Sequence, residues 1–295
     1  SSSTRIGPHH EGPRGVQNVT SERKAAFYEI GHWSELKLEI VRKYAAAYST
    51  ILVKRGFTHY YIDGFAGPGF HLSKRTGEWV AGSPLNALNV VPPFKHHFLI
   101  DLDGGRVRQL RQIVGDRPDV TVLEGDCNTA LTDEVLPQVR YEQRKRALCL
   151  LDPYGLQLDW RVIKTAGQMG TIDLFLNFPI MDMNRNALWS TPGRADPQDM
   201  LRMTAFWGDE SWKNVAYAPN PQGSLFGGAD LRKVPNEVIV EAFRERLKTV
   251  AGFRNIPSPM PMRNSTNAVV YYLFFASQND AANHIVEDIF GKYRG

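Results

Sequence analysis

The feature that most limits what this chain can fold into is a change of apolar period near Gly56. Before it, Leu36, Ile40, Val41, Tyr44, Tyr48, Ile51 and Leu52 recur at helical spacing. Ser34 is expected to cap a helix over residues 35–53, with Lys54 and Arg55 suited to its negative end and Gly56 to its stop. A shorter helix is expected over residues 21–30. After Gly56, short apolar runs alternate with helical segments. The runs are residues 59–63 (HYYID), 97–101 (HFLID), 120–123 (VTVL), 147–152 (ALCLLD), 172–178 (IDLFLNF) and 268–276 (AVVYYLFFA). Helix starts fall at Ser83-Pro84, near Gly104, at Asn128, Asp159 and Asn236, and residues 280–293 close the chain as a helix. Strands alternating with helices form a parallel sheet covered on both faces.

Composition narrows the class. The chain has 295 residues, 42% of them hydrophobic, with 15 Phe, 11 Tyr and 6 Trp, which argues for one sizeable core rather than disorder. The two cysteines, Cys127 and Cys149, cannot build a disulfide framework or a four-thiolate zinc site, and they fit a reducing cytoplasm. No run of about 18 apolar residues is present, so no membrane span is expected. Residues 1–18 lack the apolar stretch of a signal peptide. A net charge of +4 permits a nucleic-acid or phosphate-bearing partner without requiring one. The expected organisation is a flexible arm over residues 1–20, a helical extension over 21–56, and an α/β domain over 57–295. Within that domain, residues 181–235 read as an insertion with no sustained period.

Four strand ends carry chemistry. Residues 60–70 (YYIDGFAGPGF) run from a strand into a glycine-rich turn, Asp63, Gly64, Phe65, Ala66, Gly67, Pro68 and Gly69, where backbone can approach a ligand closely. An ordinary strand-to-loop turn is the plainer reading. Asp101, in FLIDLD, can accept both hydroxyls of a ribose, or simply cap the next helix. Asp126, in LEGDCN, can take the exocyclic amine of adenine, or serve as a turn or N-cap residue. Asp152-Pro153-Tyr154 can clamp a planar amine, the carboxylate accepting from it and the ring stacking on it. A strand-terminating turn is the alternative there. All four groups fall on the sheet edge where open α/β sheets bind ligands.

In this order the residues resemble class I S-adenosylmethionine-dependent methyltransferases. The resemblance implies a Rossmann-like sheet, mostly parallel, of seven strands with the last antiparallel. It implies that residues Asp63 to Gly69, with Ser83, Asp101, Leu102, Asp126 and Cys127, bind S-adenosylmethionine. Asp152-Pro153-Tyr154 is similar to the D-P-P-Y motif of amino-group methyltransferases, without its second proline. A closer resemblance is to the bacterial three-Cys-motif partner proteins (TcmP). It rests on His32-Trp33 and the Lys37 helix, YIDGFAGPG, Gly82-Ser83-Pro84, LLDPYGL, LNFPIMDMNRN and YYLFFAS, and it implies a protein partner carrying a three-cysteine motif.

The segment at residues 176–186 places Asn177, Asp182, Asn184 and Arg185 after the fifth strand, beside the expected methyl-transfer site. Asn177 joins Asp152, Pro153 and Tyr154 as catalytic candidates. Asp182, Asn184 and Arg185 are substrate candidates, although Arg185 in a local salt bridge is equally consistent. Residues 70–82 read as an excursion able to cover the methionine end of the cofactor. The function expected is methyl transfer to nitrogen on a nucleobase or other planar substrate; the alternative is a non-catalytic partner protein on the same fold. An NAD(P) oxidoreductase lacks its G-x-G-x-x-G spacing. Adjacent His96 and His97 point to opposite strand faces and are poor metal co-ligands. Trp189, Trp207 and Trp212, with Phe206 and Tyr217, read as a satellite core under the insertion.

Overall fold

A computed structural model describes residues 29–190, 195–219 and 231–294. The expected arm, and most of the expected helix over 21–30, lie outside these residues; Glu29–Ile30 is a short strand, β1, rather than a helix end.

Helix α1 spans His32–Lys54. It starts three residues earlier than the Ser34 cap suggests: Gly31 is its N-cap, without a side-chain bond. Its apolar stripe is buried as expected, and Gly56 ends it at φ +68°. Then come β2 (Thr58–Asp63), the hairpin β3 (Phe70–Ser73) and β4 (Trp79–Ala81), α2 (Ser83–Leu88), β5 (His96–Asp101), α3 (Gly104–Val114) and β6 (Val120–Glu124). The one-turn helix α4 (Cys127–Thr129) begins under an Asp126 cap rather than at Asn128. A π-helical turn continues it over Ala130–Val135. The order proceeds through β7 (Lys145–Leu151), α5 (Trp160–Met169), β8 (Ile172–Phe178) and α6 (Ile180–Asn186). Then follow α7 (Pro197–Trp207), α8 (Trp212–Ala216), β9 (Tyr217–Pro219), β10 (Leu231–Lys233), α9 (Asn236–Thr249), β11 (Met260–Arg263), β12 (Val269–Ala276) and α10 (Asp280–Gly291).

The main sheet has seven strands in the order β11-β12-β8-β7-β2-β5-β6. β2, β5, β6, β7 and β8 run parallel to one another. β12, the last strand in sequence, runs antiparallel to both β8 and β11. The fold is therefore mixed α/β with a mostly parallel sheet, as expected. The seventh strand, β11, is the sequence MPMR, too short and proline-bearing to show in the apolar pattern; it sits at an edge, where proline is tolerated.

Both sheet faces are dry. One packs α1 with α10: Tyr44, Tyr61, Phe175 and Phe275 are each 1% exposed or less. The stretch expected as an extension thus forms a layer of this core. The other face packs α5, α7, α8 and α9. The expected insertion follows the fifth parallel strand and carries helices of its own. Residues 197–207 and 212–216 are helical, and Phe206, Trp207 and Trp212 enter the main core around Phe178 and Phe243 rather than a satellite. The 70–82 excursion is the β3–β4 hairpin, on which β1 adds a parallel strand.

Candidate functional site

The parallel register brings the four strand ends to one edge. Asp63 ends β2, Asp101 ends β5 opposite Glu124 of β6, and Asp152 follows β7 directly. A cavity of about 600 Å³ opens there, in the size range of small-molecule sites. Of the expected cofactor residues, Gly64, Phe65, Gly67, Pro68, Asp101, Leu102, Asp126 and Cys127 line it, as do Asp152 and Tyr154 of the expected catalytic residues.

Asp101 both builds the pocket and faces it. Its Oδ2 accepts from the Gly67 N–H at 2.8 Å and its Oδ1 from the Asp103 N–H at 2.9 Å, while the Ala66 N–H donates to the Ile100 carbonyl. These bonds strap the glycine turn to the neighbouring strand. Gly67 holds φ +68°, a backbone state side chains disfavour. Gly64 serves a different end: a Cβ there would meet Leu151 Cδ2 at 2.8 Å, so its small size packs strand against strand. Asp126 is an N-cap, accepting from the Thr129 N–H and hydroxyl, and it also lines the cavity; the two readings of the sequence coexist.

Asp63, Ala66, Gly69 and Ser83 do not line the cavity. Asp63 is fully buried and organises the turn, accepting from Tyr61 Oη, the Phe65 N–H and Ser83. Burial pushes its carboxyl up to about 6, against the hydrogen bonds from Ser83 and Phe65 that hold it down.

The surroundings of Asp152 differ from expectation. Lys37 of α1, only 5% exposed, forms an ion pair with Asp152 Oδ2 and lies 5.3 Å from the Tyr271 ring centre. Burial alone would lower the Lys37 ammonium; the Asp152 carboxylate and Tyr271 outweigh it, and the group sits above its ordinary value. Tyr154 is 85% exposed at the pocket mouth rather than folded over it. Pro153 is buried. Asn177 is buried in β8, its Oδ1 without a partner among the described residues, and it does not line the cavity. Nor do Asp182, Asn184 and Arg185. Asp182 accepts from Asn186 Nδ2 and packs on Gly155, where an added Cβ would lie 2.7 Å from its Oδ2. Asn184 donates to Asn236 Oδ1, and Arg185 is exposed.

Other lining residues were missed: Glu29, Ile30, Ser34, His71, Arg106, Leu156, Gln157 and Arg202. Two had signals. Lys37, which reaches Asp152 from behind the wall, is a charge on the apolar stripe, in phase with Val41, Tyr44 and Tyr48. Arg202 lies in α7, whose Asp196-Pro197 start and Gly208 stop are ordinary boundary signals. Cys127 is no nucleophile in this setting, since burial pushes its thiol up to about 12.

No family model matches the chain, and no curated protein matches it. Among solved structures it is similar to protein LPL1258 from Legionella pneumophila str. Philadelphia 1, at 10% identity and a TM-score of 0.51, over 88% of this chain and 92% of that one. An S-adenosylmethionine dependent methyltransferase from Mesorhizobium loti matches at 11% identity and a TM-score of 0.37, over 75% and 90%. The likeness is one of fold: a Rossmann-like, mostly parallel seven-stranded sheet.

Proposed function

We propose that the chain is an S-adenosylmethionine-dependent methyltransferase directed at nitrogen on a nucleobase or other planar substrate. The observation that carries the reading is Asp101. A carboxylate offers about four acceptor positions, and two are taken by the Gly67 and Asp103 N–H groups. Arg106 Nη1 lies 3.7 Å from Oδ2, and the capacity left at the pocket wall suits the adjacent hydroxyls of a ribose, the fit this cofactor requires.

When bound, S-adenosylmethionine supplies an electrophilic methyl group, so the protein's task is alignment and exclusion of water. Gly64, Phe65, Gly67 and Pro68 form the wall beside it, Leu102 covers its adenine, and Asp126 accepts from the adenine amine. Asp152 keeps Oδ1 free of the Lys37 pair and accepts from the substrate nitrogen, while the exposed Tyr154 ring stacks on the substrate plane. Asn177 supports this region from within the sheet rather than by contact. Calorimetry with S-adenosylmethionine tests the reading: wild type binds, and Asp101→Ala binds far more weakly. Absence of binding by the wild type would sink it.

One observation favours a second reading. Asp152 is already committed to a buried cation, and Tyr154 faces solvent. A non-catalytic partner protein, working with a three-cysteine-motif protein, would retain the cofactor pocket in this state. Binding of S-adenosylmethionine without methyl transfer to any nucleic acid, with methyl transfer appearing or not on addition of such a partner, separates the two.

A further inference from the structure

The opposite edge of the sheet holds a second polar cavity, of about 610 Å³. It lies at the amino ends of β7 and β8 and, because β12 is antiparallel, beside that strand's carboxyl end. Open α/β sheets place their ligands at the other edge, so nothing in the methyltransferase reading uses it.

Two buried hydroxyls stand in its lining. Tyr48 Oη and Thr171 Oγ1 belong to residues 6% and 3% exposed, and neither has a hydrogen-bond partner among the described residues. A buried hydroxyl left unpaired costs about 1–3 kcal/mol. The nearby acceptor is already engaged on both oxygens: Asp173 takes Tyr44 Oη at 2.6 Å on one and Ser277 Oγ at 2.5 Å on the other. The cation side is open. Arg146 is held by stacking, its guanidinium 4.6 Å from the Phe57 ring centre and 4.4 Å from that of Tyr141. Its only hydrogen bond shown among the described residues is to the Lys145 carbonyl. Arg55 and Arg254 also line the cavity, with no side-chain bond or ion pair shown among the described residues. Asp173 and Asp280 are the facing acids, and Asp280 accepts from Asn255 Nδ2.

We infer that this cavity binds a small organic phosphate with a hydroxylated body. The phosphate would take the guanidinium groups of Arg55, Arg146 and Arg254, which present forked donors suited to it. The hydroxyls of the body would satisfy Tyr48 and Thr171, and the exposed face of Tyr141 suits a planar base where one is attached. The site is remote from the cofactor edge and does not depend on the methyltransferase reading.

Titration calorimetry on the full chain, with inorganic phosphate, ribose 5-phosphate and AMP as probes, tests the inference. One-to-one binding of ribose 5-phosphate or AMP is expected, about tenfold or more tighter than inorganic phosphate. Arg55→Glu with Arg254→Glu, both exposed and safe for folding, should weaken it by about tenfold or more. Tyr48→Phe should weaken it several-fold while leaving the unliganded melting temperature unchanged or higher, because an unpaired buried hydroxyl is removed. Asp101→Ala should leave it unchanged. No binding of any probe at millimolar concentration overturns the inference. So does binding that Asp101→Ala abolishes and the arginine double variant keeps, since the probe would then occupy the cofactor edge.

Discussion

The two halves of the carboxyl edge were built from similar sequence signals, an acid at the end of a parallel strand, yet they are in different states. Around Asp101 the hydrogen bonds come from backbone N–H groups, Asp103 in its own turn and Gly67 in the glycine turn of the neighbouring strand, with Arg106 Nη1 3.7 Å from Oδ2, and acceptor capacity remains facing the cavity. Around Asp152 the acid is paired with a cation brought from 115 residues away. The first acid is positioned by backbone donors of two adjacent turns, with a longer contact to a cation of the helix that follows its strand. The second is positioned by a tertiary contact, with its charge compensated before any substrate arrives. A strand-end carboxylate is therefore poised or committed according to what the covering helix offers it.

The sharpest way to break this contrast is to remove one partner of the pair. Asp152→Ala strands a buried lysine and should cost about 3 kcal/mol of unfolding free energy by denaturant titration. Lys37→Met should cost less, because Asp152 is 30% exposed and can turn to solvent in the cavity. The double variant should recover most of the loss; equal costs for the two single variants would show that the pair is not asymmetrically buried.

Next in size is the pH dependence of Asp63. Its folded value is raised to about 6 from 3.8, so the folded state holds the proton more tightly than the unfolded chain. Stability from this group is then full below pH 4 and is lost as pH rises through about 6, by roughly 3 kcal/mol at most. Asp63→Asn lacks this titration, so the wild-type-minus-variant stability difference should fall between pH 4 and pH 6. A difference curve that rises over this window would reverse the assigned sign.

Asp101→Ala should weaken S-adenosylmethionine binding by about 2 kcal/mol, roughly thirtyfold, with the Asp152 variants affecting it less. A stronger loss at Asp152 than at Asp101 would reverse the division between the two halves. The smallest effect belongs to Tyr154→Ala: at 85% exposure, stability should change by less than about 0.5 kcal/mol. A larger loss would mean the ring is packed in solution rather than free at the pocket mouth.

The Asp63–Gly69 turn, Asp101 and Asp126 were legible because each follows a strand whose apolar run is complete in itself, and β7 and β8 read clearly because both faces are buried. The region after β8 was not. The core-facing stripes of α7 (Met200, Met203, Phe206, Trp207) and α8 (Trp212, Ala216) are short, and the Asn, Gly and Pro residues around them hide their period. Strand β11 was missed because four residues with a proline carry no alternation.

The sequence by itself determined the order of strands and helices, the glycine turn and the acids at successive strand ends, since these follow from local period and backbone freedom. Only the tertiary structure decided which acids face the cavity. Asp63 is drawn inward by Tyr61 and Ser83, Asp152 is claimed by Lys37, and Asn177 is enclosed within the sheet. The physical reason is that a polar group's state depends on the partners burial brings to it, and those partners lie far away in the chain.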